Sequence, residues 1–151
     1  MRGWARLTGG RSSAPRLPMF TVAPGASADD LRAVHRACLR AVRGRLDELW
    51  VDLTGSQDWP DEARGAAYRL VGGRRHAVGV DVADDLAFTD AVTVSPFCLS
   101  VDGIGEGRLV YSAADEGSGL VVELAAREHR AAEDALRRAG HDPRYLAHLP
   151  R

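Results

Sequence analysis

Lysine is missing from this chain. Asparagine is missing too, and Ile104 is the only isoleucine. All 20 basic side chains other than histidine are therefore arginine. These gaps fit the codon bias of a GC-rich bacterial genome, and they have chemical consequences. Schiff-base catalysis and attachment of pyridoxal phosphate need a lysine amine. A Walker-type loop needs its lysine on the phosphates. All three are excluded. Cysteine is scarce: Cys38 and Cys98 stand far apart with no C-x-x-C, which argues against a zinc ribbon or a thioredoxin-type site. Two buried free thiols in a reducing cytoplasm are expected. No apolar run approaches the ~18 residues that a membrane helix needs. The N-terminal arginines are not followed by the apolar stretch of a secretory leader. No metal site, no cofactor and no membrane contact are expected.

What is present describes an ordinary globular chain. Its 151 residues suffice for one domain with its own core. A net charge of −1 provides no general attraction to nucleic acid. Residues 1–18, with four arginines and no acid, are expected to form a flexible basic tail. The alternative is a basic arm that folds on a partner. Residues 19–151 are expected to form a single domain.

Ser27 followed by Asp30 reads as a capping box opening a helix over about 28–46. On a helical wheel Leu31, Val34, Cys38, Ala41, Val42, Leu46 and Leu49 share one face, with His35 in the same arc. Arg32, Arg36, Arg40 and Arg43 gather on a narrow arc outside it. Residues 48–55 read as a strand. Pro60, Asp61 and Glu62 open a second helix that Gly72-Gly73 stops. "HAVGVDV" alternates as a strand does. "AVTVSPFCLSV", 91–101, reads as another strand whose parity changes at Ser95-Pro96, predicting a bulge or bend there. "RLVYSA" and "GLVVEL" form a hairpin. An Ala/Arg/Glu helix runs from about 125 to Gly140, and 141–151 form a closing turn and tail. Consecutive strands imply an antiparallel meander. The expected fold is α+β: a two-layer sandwich, with a meander of about four to five strands covered on one face by two to three helices.

Several groups of residues are candidates for chemistry. His35 and Cys38, at i and i+3, can touch. They are either a core histidine beside a buried thiol or a reactive pair, and the reactive pair would require a cleft. The arginine stripe is either a solvated face or a surface for an anion. No aromatic residue interleaves with it, so nucleic acid is not the expected partner. Asp81, Asp84, Asp85 and Asp90 crowd one segment. EF-hand spacing fails there, with neither the glycine nor the glutamate in place, and an acidic loop that could meet a protein partner is expected. "GIGEG" lacks the third glycine of a dinucleotide loop. Glu128 either supports the start of the last helix or is a partly buried acid.

These readings lead to a small, soluble, cytoplasmic accessory protein that binds another protein, regulatory or immunity-type and non-catalytic, with a homodimer as a further option. The alternative is a small acid–base enzyme or ligand-binding protein with a pocket between sheet and helices, lined by His35, His76, Cys98, Tyr111 and His129.

Overall fold

The computed structural model describes residues 15–55, 58–72 and 76–150. The expected tail, 1–18, lies for the most part outside them. At its end Pro18 is held in place, its carbonyl accepting from Leu124 N–H at 3.1 Å.

The chain enters as strand β1 (Met19–Val22) and continues as helix α1 (Ala28–Val42). Ser27 accepts from the Asp30 amide and Asp30 accepts from the Ser27 amide, so two N–H groups that the helix start leaves open are satisfied reciprocally. A short 3-10 turn over 43–45 leads into β2 (Glu48–Asp52). Then come α2 (Asp61–Val71), β3 (Ala77–Gly79) and α3 (Asp85–Val94). The strands β4 (Ser100–Gly105), β5 (Arg108–Ala114) and β6 (Gly119–Glu123) follow, then α4 (Ala126–Arg138) and β7 (Leu146–His148).

The class is α+β, but the expected count is wrong. Among the described residues the sheet has seven strands rather than four to five, and there are four α-helices rather than two to three. The strand order is β3-β2-β4-β5-β6-β1-β7, and every neighbour is antiparallel.

Two readings of the sequence account for the difference. Residues 85–94, including the first four residues of the expected strand 91–101, are helical. The β-branched Val92, Thr93 and Val94 suggested a strand, but the helical period wins: Phe88, Ala91, Val92 and Ser95 are all buried at i, i+3, i+4 and i+7. Asp84 caps this helix, accepting from the amides of Leu86 and Ala87 at 2.9 and 3.1 Å. Pro96 follows its end, so the expected parity change is a switch from helix to strand rather than a bulge. The second difference is at the C-terminus. The expected closing tail contains β7, which pairs with β1 and extends the sheet past β6.

One face of the sheet is covered. Leu49, Gly103, Tyr111, Val122 and Phe20 form a continuous row across β2-β4-β5-β6-β1, and all five lie under the helix layer. At Gly105 the layers come closest. A Cβ there would fall 2.0 Å from the Arg45 carbonyl oxygen, so only glycine fits.

Candidate functional site

Of the five acid–base candidates, only His35 and Tyr111 meet. Tyr111, from β5, and His35, from α1, are both completely buried. His35 Nε2 lies 2.9 Å from the Gly117 carbonyl, which can only accept, so Nε2 carries the proton. Nδ1 is then bare and accepts the Tyr111 O–H at 3.1 Å. Burial lowers the His35 pKa to about 4, a shift only partly opposed by the bond to Gly117, so the ring is neutral at pH 7. Burial likewise raises Tyr111 well above its ordinary value. The pair ties α1 to the sheet and has no route to a solvent-borne substrate.

The thiols are equally enclosed. Burial pushes Cys38 up to about 12 and raises Cys98 further, with Asp52 adding to the effect at Cys98. A thiol held protonated is a poor nucleophile. His35 and Cys38 are thus two members of a packed core. His129, on α4, stacks on Phe20 with ring centroids 4.3 Å apart. His76 is exposed just before β3. The five candidates do not line one pocket.

The four aspartates of 81–90 are also dispersed. Asp81 closes a turn onto the Ala83 amide, and Asp84 caps α3. Asp85 pairs with Arg43 at 2.7 Å, and Asp90 takes a bidentate grip from Arg69 at 2.7 and 3.0 Å. Their acidity is largely spent on local structure.

The arginine stripe divides. Arg43 ends on the Val82 carbonyl, on Asp85 and over the Phe88 ring at 4.4 Å. Arg32, Arg36 and Arg40 instead line a cleft of about 450 Å³ with walls from α1, α2 and α4. Arg32 lies over Phe97 at 4.9 Å and reaches Asp29 only at 3.4 Å. Arg36 donates from Nη2 to the Thr93 carbonyl at 3.2 Å, while its Nε is buried without a hydrogen-bond partner among the described residues. Arg40 is exposed and carries no ion pair to a described residue. Phe97 connects this cleft to a second of about 690 Å³, lined by Asp58, Trp59 and Glu116 among others. Phe97, Trp59 and Glu62 were not legible as site residues, since only the folded chain brings α2 and the α3–β4 connection against α1.

A second open surface is the face of the sheet that no described helix covers. Gly79, Trp50, Asp102, Ser112 and Val121 form a row across β3-β2-β4-β5-β6. Trp50 is 47% exposed, Leu109 53% and Val121 37%. Glu48, Asp52 and Asp102 lie on the same face, and among the described residues none of the three is in an ion pair. The signal for this face was in the sequence: Trp50 alternates with Leu49 and Val51, which marks it as pointing away from the core.

No family model, no curated protein and no solved structure matches this chain. Its site must be argued from its own residues. Among the described residues no group of three or more His, Cys, Asp or Glu side chains converges as a metal would need. No described helix is long and apolar enough to cross a membrane.

Proposed function

We propose that this chain is a non-catalytic accessory protein that binds another protein, and that the uncovered sheet face is its contact surface. The observation that carries this reading is the row centred on Trp50. Large apolar side chains half out of water in the middle of an antiparallel sheet are the composition of an interface core, and tryptophan is the side chain most often found to dominate one. The acids around it select the partner. With Glu48, Asp52 and Asp102 on this face and no described basic side chain paired to them, the complementary surface is apolar with a basic rim. A face-to-face homodimer would bring these acids against their own copies. The enclosed state of His35, Tyr111, Cys38 and Cys98 supports binding over acid–base chemistry. The two free thiols fit a reducing compartment such as the cytoplasm.

Capture with the tagged full chain, from cells of the organism that encodes it, tests the proposal. Wild type is compared with Trp50→Glu and Leu109→Glu. One protein retained in stoichiometric amount by wild type and lost by both variants, with folding intact, is the expected result. Retention unaffected by either variant overturns the assignment of this face. A stable dimer of the chain alone, abolished by Trp50→Glu, overturns the heterologous partner.

A further inference from the structure

The two halves of the arginine stripe have different surroundings. Arg43 and, just beyond α1, Arg45 are neutralised inside the molecule. Arg45 pairs with Glu128 at 2.6 Å and Glu123 at 3.6 Å, and also donates to the Glu123 carbonyl. Arg36 and Arg40 are in no ion pair with a described residue and Arg32 reaches only the exposed Asp29, at 3.4 Å, although the three stand at i, i+4 and i+8 on one helix face and line one cleft. At 1.5 Å per residue they span roughly 12 Å. Three like charges in a row repel one another. At Arg36 burial lowers the guanidinium's pKa; Glu62 opposes that shift, and the Arg40 and Arg32 charges add smaller lowering effects. Its buried Nε still lacks an acceptor. A buried donor left unsatisfied is costly, and an incoming carboxylate or other anion would remove that cost.

We infer that the cleft between α1, α2 and α4 is a docking groove for an acidic, amphipathic segment of a protein, with Arg32, Arg36 and Arg40 as its carboxylate anchors. The inference rests on the reading of this chain as a binding protein and adds a second surface, in the layer opposite the sheet face. The apolar part of the lining is made by Ala33 and Ala37 of α1, Ala63 of α2, Leu136 of α4 and Phe97. Small side chains admit a close approach by a helix or an extended strand, and the arginine fork matches carboxylates in a bidentate way. Acids in and beyond the groove decide against nucleic acid. Asp29 and Glu62 stand within it, and Asp58 and Glu116 line its continuation past Phe97. A dense run of phosphates would meet those acids, whereas a peptide can place its carboxylates only where the arginines are.

The test is anisotropy of a fluorescein-labelled amphipathic peptide, with glutamate every fourth position and leucine on the opposite side, titrated with the purified full chain at low and moderate salt. The expected result is salt-sensitive binding that is lost when the glutamates are replaced by glutamine. Arg40→Glu and Arg36→Gln should each weaken it by about tenfold or more. Arg130→Gln, at an exposed position of α4 outside both surfaces, should leave it unchanged. Arg40 is exposed, so Arg40→Glu keeps the test valid even if Arg36→Gln perturbs the α1–α3 contact. Absence of binding, or binding indifferent to Arg40→Glu, overturns the groove. Tighter binding of a single-stranded RNA than of the peptide overturns the peptide in favour of nucleic acid. A captured partner that is lost by Trp50→Glu and kept by Arg40→Glu leaves the sheet-face reading standing while a negative peptide titration removes this one.

Discussion

Leu49 and Trp50 are neighbours on β2 and face opposite worlds. Leu49 lies under the helix layer in a row with Gly103, Tyr111, Val122 and Phe20. Trp50 lies on the other face beside Asp102, nearly half in water. On the covered face the two buried polar rings are satisfied: the Tyr111 O–H goes to His35 and the His35 N–H to Gly117. On the open face polar and apolar groups stand side by side with no described helix above them. Residue type alone therefore says little about role here. The largest aromatic group on β2 is on the surface, while a histidine and a tyrosine, the apparent catalysts, are structural.

Substitutions on the two faces should separate accordingly. The largest effect is expected at Leu49→Ala, which removes buried methyl groups and leaves a cavity, for a loss of about 2–5 kcal/mol by denaturant unfolding. Trp50→Ala on the adjacent residue should cost clearly less. If the two losses are equal, the contrast between the faces fails.

The second effect is a pH dependence. His35 is neutral in the fold with a pKa of about 4, against 6.5 for a free imidazole. A depressed histidine pKa means that the unfolded chain binds the proton more readily. Its contribution is therefore fully present above pH 6.5 and is lost as pH falls towards 4, by about 3 kcal/mol in total. Urea titrations across this window should show stability falling with acid. His35→Gln should remove most of that slope, and an unchanged slope would place its origin in the carboxylates.

A smaller loss is expected at Tyr111→Phe. It leaves His35 Nδ1 without its donor in a dry site, for about 1–3 kcal/mol. The smallest belongs to Leu109→Glu on the open face, within about 0.5 kcal/mol of wild type by thermal unfolding. A collapse of the fold in that variant would mean that the open face is part of the core.

The parts of this fold that were legible in the sequence are those with local signals. Ser27 and Asp30 announced α1, and the wheel placed His35 and Cys38 inward. Trp50 and Val51, which favour a pleated surface, and Gly55 after them announced β2. The hairpin of β5 and β6 was readable from its two apolar runs. What was hidden depends on contacts distant in sequence. Residues 91–94 carry a strand-like composition, and only the capping by Asp84 and the packing of Phe88, Ala91 and Val92 make them helix. Leu146–His148 is too short to declare itself a strand, and β1 provides its partner from the other end of the chain. The arginine arc was legible as four arginines on one side of the wheel. Its division into a neutralised half and an open half needed Asp85, Glu123 and Glu128 on one side and the walls of α2 and α4 on the other.

The pairing of β1 with β7 has a mechanical consequence. The two strands are antiparallel neighbours, with Leu149 N–H donating to the Met19 carbonyl at 2.8 Å at the end where the chain enters and leaves. A tether pulled through both flanks of this pair would load its hydrogen bonds one at a time, as a zip opens, rather than all together in shear. In an optical trap this sheet edge should part at low force, with β7 peeling away while the row from Leu49 to Val122 remains intact.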